Sequence, residues 1–194
     1  KNIKILRNFI KNKSLLKNYP LLKSLTNKFE YSFQKKKIKS FKKYQEVNLI
    51  GMGGSILGAE AIYDFLKYKV NKKFSFYNNL QIQRVPKTNK KNINLVISKS
   101  GNTLETVSNF NLLLQSQKKN KNVILCEKKN NFLSLLAKKL KAEILEHKNY
   151  IGGRYSVLSE VGMLPAQLLG LNEAKFKRFN NLIKNKSFIN SLIT

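Results

Sequence analysis

The 194-residue chain carries 38 Lys and Arg against 10 Asp and Glu, a net charge of +28, over an ordinary hydrophobic content of 42%. That length suits one domain with appendages and a substantial core. No apolar run approaches a membrane span and the lysine-studded start lacks a signal core, so a cytosolic protein without membrane partners is expected, and the single Cys126, set behind Val123, Ile124 and Leu125, fits a reducing compartment because it has no internal disulfide partner.

The charge raises the question of nucleic acid. Clustered lysines would release counterions from a phosphate backbone. Here they are scattered through every segment beside abundant Asn and Ile, residues whose codons are all A/T-rich, and the aromatics do not interleave with a basic stripe as single-strand binders require. Genome base composition explains the excess, and no specific nucleic-acid partner is expected.

Residues 1–44 alternate lysine patches with Ile3, Leu6, Phe9 and Ile10, then Leu15, Leu16, Leu21, Leu22 and Leu25. These spacings predict short amphipathic helices separated at Pro20, an amino-terminal helical segment without identifiable chemistry. From Val47 the pattern changes. Strands are predicted at Val47–Ile50, Phe74–Tyr77, Ile93–Ile97, Val123–Cys126 and Ile144–Leu145. Between them, Ile62, Phe65 and Leu66, then Leu104, Val107, Phe110 and Leu114, then Phe132, Leu135, Leu136 and Leu140 are each expected to share a buried helix face. Short, wholly apolar strands alternating with helices predict an α/β fold, a three-layer α-β-α sandwich on a central parallel sheet over residues 45–170. Val157, Leu158, Val161, Leu164 and Leu168 mark a further helix, expected to be disturbed at Pro165. A turn at Leu171–Glu173 and a last helix over 173–185 fall in a closing segment, 171–194. The chain starts at Lys1 and stops within an apolar-periodic stretch, so it reads as a fragment whose carboxyl-terminal half is missing.

Such sheets bind ligands beyond the carboxyl ends of their strands, and three loops fall there. Gly51-Met52-Gly53-Gly54-Ser55 follows the first strand, but Ile56 stands where a dinucleotide fingerprint needs its third glycine, and Phe76-Tyr77-Asn78-Asn79 lacks the acidic residue that would hold a ribose. No nicotinamide cofactor is expected, and one histidine with one cysteine offers no metal-ligand set. Ser98-Lys99-Ser100-Gly101-Asn102-Thr103 follows the third strand and opens a helix. Three small hydroxyls, a glycine and helix-terminal N–H groups favour an anion there. Asn102 and Glu105 also have the spacing of a capping box. Gly152-Gly153-Arg154-Tyr155-Ser156 closes the sheet region, its glycines allowing positive φ and a close approach of ligand to backbone, its arginine supplying a permanent charge. His147 is expected at an exposed strand end, without a catalytic role.

The second of these loops resembles the phosphate segment of the sugar isomerase (SIS) domain. With Gly51–Ser55 and Gly152–Ser156 it resembles the glucose-6-phosphate isomerase family, over about residues 45–170. The resemblance implies a sugar phosphate as small-molecule partner, no cofactor, and aldose-ketose isomerisation of glucose 6-phosphate and fructose 6-phosphate through a cis-enediol. It further implies that Ser98, Ser100 and Thr103 hold the phosphate with help from the Lys99 and Ser100 amides. By the same resemblance Gly54, Ser55 and Gly153 lie against the sugar, Arg154 stabilises an enediolate, and Glu105 belongs to the active site. Family members usually form homodimers, and their catalytic glutamate, histidine and lysine are expected in later sequence. A second reading is a non-catalytic SIS module that senses a sugar phosphate, which needs only the first two motifs; Gly152–Ser156 argues against it.

Overall fold

In the computed structural model, which describes residues 4, 8, 17–41, 43–80, 92–116, 120–177 and 185–191, the apolar runs become one parallel sheet. Strands β1 (Glu46–Gly51), β2 (Lys73–Tyr77), β3 (Ile93–Ile97), β4 (Lys121–Cys126) and β5 (Glu143–Glu146) lie in the order β2-β1-β3-β4-β5. Helices α1 (Lys35–Phe41), α2 (Leu57–Leu66), α3 (Leu104–Ser116), α4 (Phe132–Leu140) and α5 (Glu160–Leu168) cover its two faces, and α6 (Lys186–Ser191) follows later in the chain. The expected α-β-α sandwich is the one observed.

The central strands β1, β3 and β4 are largely apolar because both faces are covered. Val47, Leu49, Leu95, Ile97, Val123 and Leu125 pack with Ile38, Phe41, Ala59, Val161, Leu164 and Leu168 on the side of α1, α2 and α5. On the opposite side Ile50, Val96, Ile124 and Cys126 pack with Phe110, Leu113, Leu133 and Ala137 of α3 and α4.

The helices between the strands are where they were expected, but their buried faces differ. Phe65, Leu104, Phe132 and Leu135 are exposed. In α4 it is Leu133 and Ala137 that reach the core, because Asn131 caps the helix through Ser134 N at 2.9 Å and Leu133 N is tied to Gly101 O, which sets the helix's rotation about its axis. In α3 the buried stripe runs through Thr106 and Asn109 as well as Phe110 and Leu113, so hydropathy alone misplaces it. In α2, Tyr63 stacks on Phe74 at 5.5 Å while Phe65 faces outward.

Pro165 does not break α5, which runs through it to Leu168 and closes at Gly170, φ +85°, with Leu171 N donating to Ala166 O at 2.9 Å. Its first residue, Glu160, is buried, and Ser32 N donates to its Oε1 at 3.0 Å. Burial pushes this carboxyl above its ordinary range.

The chain divides into two compact units, Glu30–Leu171 and the remainder, Lys1–Phe29 with Asn172–Thr194. In the remainder, a 3-10 turn spans Pro20–Leu25, and Lys177 lies over the Phe29 ring while its Nζ donates to Thr26 O. The helices expected before Pro20 lie outside the described residues. A 3-10 turn at Glu173–Lys177 opens the stretch read as a helix over 173–185, whose residues 178–184 also lie outside them. Among the described residues no helix is long and apolar enough to cross a membrane.

One polar feature runs through the sheet unit. Asn48, Asn94 and Asn122 stand abreast on β1, β3 and β4. Asn48 Nδ2 donates to Asn94 Oδ1 at 2.8 Å, and Asn94 Nδ2 donates to Asn122 Oδ1 at 2.9 Å. Asn94 is fully buried. A one-residue slip of any of these strands would turn its amide to the other face and leave its neighbours unpaired, so the ladder penalises misregister. Replacing Asn94 by alanine is predicted to lower stability by about 1 to 3 kcal/mol, because the buried Asn48 amide and the half-buried Asn122 carbonyl both lose a hydrogen bond to it; urea denaturation measures it.

Candidate anion-binding site

Strand order reverses between β1 and β3, so the loops leaving these two strands diverge around a crevice at the carboxyl edge. The loop after β3 turns at Gly101, φ +70°. Ser98 Oγ lies 2.9 Å from Thr103 Oγ1 and accepts Gly101 N at 3.1 Å. Ser100 Oγ accepts Asn102 N at 3.2 Å and lies 3.4 Å from Thr103 Oγ1. The hydroxyls thus form one connected group. The Asn102–Glu105 spacing also allowed a capping box, but α3 starts at Leu104, and Asn102 Oδ1 accepts Phe132 N of α4 at 2.8 Å. With Leu133 N on Gly101 O and Glu127 N on Lys99 O, both at 3.0 Å, the loop is strapped to β4 and α4.

The loop after β1 meets the Gly152–Ser156 segment backbone to backbone. A Cβ at Gly54 would run into the Gly153 carbonyl and stand 3.0 Å from Arg154 N. Ser156 Oγ bridges the contact, donating toward Gly54 O at 3.1 Å and Gly153 O at 2.7 Å. The positive φ that the glycine pair permits is not used: Gly152 has φ −71°, and the left-handed glycine of the two segments is Gly53 at +53°. Glycine is needed here for the close approach of two turns.

An open cavity of about 350 Å³ lies between these loops, lined by Ser55, Lys99, Ser100, Thr103, Glu127 and Lys129. Four residues singled out from sequence therefore share it. Ser98, 2% exposed, braces the loop from behind. Gly54 and Gly153 form the adjoining backbone contact. Arg154 is exposed on the 3-10 turn Gly153–Tyr155, and Glu105, half-buried in the first turn of α3, is outside the lining. Glu127 and Lys129 are additions. Their signal was their place directly after the apolar run of β4, at the ligand edge of a parallel sheet. Lys129, then Lys99, hold the Glu127 carboxyl below its ordinary range.

The model of the phosphoglucose isomerase family matches residues 8–191, nearly the whole chain. This chain belongs to the phosphoglucose isomerase family. It is 33% identical over 185 residues to the glucose-6-phosphate isomerase of Methanocaldococcus jannaschii, covering 81% of this chain and 43% of that protein. It is 34% identical over 149 residues to that of Mycoplasma genitalium, covering 70% and 34%. The chain thus spans less than half the length of these relatives. Among solved structures, a hypothetical protein from Thermus thermophilus aligns with a TM-score of 0.67 at 19% identity, covering 98% of this chain and 50% of that one. Tagatose-6-phosphate ketose/aldose isomerase from Escherichia coli aligns at 0.59 and 15%, covering 91% and 49%. At such identities these two show a shared fold.

His147, expected on an exposed strand end, is only 2% exposed in this member of the phosphoglucose isomerase family. Its N–H donates to Cys126 O at 2.8 Å, extending the β4–β5 pairing by one residue and turning the ring inward, where Nδ1 lies 3.1 Å from Lys148 O. Burial pushes the imidazole below its ordinary value. The unfolded chain therefore binds a proton that the folded chain resists, so His147 favours folding fully above about pH 6.5 and this contribution fades as pH falls toward the depressed value. Denaturation at pH 7.5 and 5.5 should show a loss of stability on acidification that shrinks in His147→Asn. Gly54→Ala should force the two turns apart, with a stability loss of about 1 to 3 kcal/mol on melting and weaker binding of phosphate ligands.

Proposed function

We propose that this chain carries the phosphate grip and part of the sugar site of an enzyme interconverting glucose 6-phosphate and fructose 6-phosphate. The observation that carries the reading is the convergence of Ser100, Thr103 and Lys99 with Ser55 on one open pocket, in a member of the phosphoglucose isomerase family. Hydroxyls donate to phosphate oxygens, and hydrogen bonds to a charged acceptor contribute roughly 1.5 to 3 kcal/mol each. Thr103 Oγ1 and Ser100 Oγ lie 3.4 Å apart, so a bound phosphate gains charge-assisted hydrogen bonds at the cost of only a long hydroxyl contact.

With the phosphate at Ser100 and Thr103, the sugar extends toward Ser55 and the turn that docks on Gly54. That turn bears Arg154. Isomerisation moves a proton between C2 and C1 through a cis-enediol, and the negative charge that develops on oxygen needs a fixed donor; the Arg154 guanidinium is assigned that role. Ser98 keeps the loop hydroxyls in place. The proton-moving carboxylate is assigned to no residue lining the pocket, whose one carboxylate, Glu127, is ion-paired with Lys129.

Calorimetric titration of the 194-residue chain with fructose 6-phosphate should detect binding that weakens about tenfold or more in Ser100→Ala and in Thr103→Val. A coupled assay on the same material should detect no turnover, since loss of a general base alone removes a factor of about 10² to 10⁴. Affinity indifferent to both substitutions would refute the phosphate pocket, and robust turnover would refute the assignment of this chain to the grip alone.

A further inference from the structure

Three charged side chains meet at the rim of the pocket. Lys129 Nζ contacts Glu127 Oε2 directly, while Lys99 Nζ lies 3.6 Å from Glu127 Oε1 and donates to Asn149 O at 2.8 Å. The Glu127 side chain is 14% exposed, and those of Lys99 and Lys129 are 32% and 55% exposed. A carboxylate in the wall of a pocket for a dianion repels the ligand it faces, and at an effective dielectric of about 20 such repulsion acts over several ångströms.

The backbone of Glu127 is fixed against the hydroxyl loop. Its N–H donates to Lys99 O at 3.0 Å, and its carbonyl accepts Lys129 N at 2.8 Å and Asn131 Nδ2 at 3.2 Å. Asn131 is in turn the cap of α4. The backbone that presents the carboxylate is therefore the same backbone that straps the hydroxyl loop. The carboxylate is the counter-ion of both lysines.

We propose that Glu127 is a positioning residue that holds Lys99 and Lys129 at the rim and sets, by its competing negative charge, how tightly the pocket retains a phosphate anion. The proposal rests on the phosphate reading of this pocket. An arriving phosphate takes over the Lys129 ammonium from Glu127, and Glu127 recovers it when the ligand leaves. Free phosphate, which has only the loop and the lysines to bind, is then held measurably but more weakly than a sugar phosphate. A sugar phosphate adds contacts toward Ser55 and is retained.

The test is calorimetric titration of the full chain with inorganic phosphate, in the parent and in Glu127→Gln, which keeps the side chain's shape and removes its charge. Tightening by about tenfold is expected, with an unchanged melting temperature and a steeper fall of affinity with salt. A merely structural role predicts the opposite sign, since damage to the loop weakens binding. Equal or weaker affinity in Glu127→Gln overturns the proposal. Should that variant not fold, the parent decides: the Glu127 side-chain carboxyl ¹³C resonance moves on phosphate saturation if Lys129 changes partner, and a stationary resonance with phosphate bound overturns it. Phosphate binding that is absent in the parent, or indifferent to Thr103→Val, overturns the pocket reading and this proposal with it. Thr103-dependent binding that ignores Glu127→Gln overturns the proposal alone.

Discussion

Asn48, Asn94 and Asn122 hold β1, β3 and β4 level, and the site depends on that alignment. Gly51 pairs with Ile97 and Ile97 with Leu125, so the three strands end side by side and release their loops at one edge. Were β3 displaced by one residue, its whole apolar set would exchange faces, and Ser98 would leave the sheet out of step with Gly51 and Glu127. A buried amide chain is unfavourable unless every member is paired. That condition ties the ladder to one register, at a place where the surrounding Val, Ile and Leu side chains could pack in several.

At the carboxyl edge, order comes from the backbone as much as from side chains. The hydroxyl loop is held from behind by Ser98, from the side by α4, and at its turn by Gly101. The loop after β1 is held by the Gly54–Gly153 contact and the Ser156 bridge. A ligand therefore meets donors whose positions are already restricted, which lowers the entropy lost on binding. The charges follow the same pattern. Two lysines and a carboxylate leave the rim positive, while each ammonium already has an oxygen partner.

Much of this was legible in the sequence, for particular reasons. Leu49-Ile50, Leu95-Val96-Ile97 and Val123-Ile124-Leu125 are consecutive apolar residues that only strands covered on both faces tolerate. The serine- and glycine-bearing loops announced themselves because they follow such runs directly. The rotation of the helices was not legible. Phe132-Leu133 and Leu135-Leu136 place apolar groups on both sides of α4, and the choice is made by Asn131, Asn102 and Gly101, contacts between segments far apart in the chain. The burial of His147 was hidden for a related reason: one further N–H joined to β4 turns its ring inward. Glu127 reads in sequence as one acidic residue among lysines. Its meaning depends on Lys99, which reaches it from the neighbouring loop.

If an anion is bound at the carboxyl edge between β1 and β3, amide mapping detects it residue by residue. With ¹⁵N-labelled chain titrated with inorganic phosphate at moderate salt, the amides of residues 98–103 and 127–129 should move together along one saturable curve. Asn92 and Asn120, at the opposite edge, should stay still. Small unsaturating shifts spread over lysines throughout the chain would mean that bulk charge alone attracts the anion, and would contradict the site.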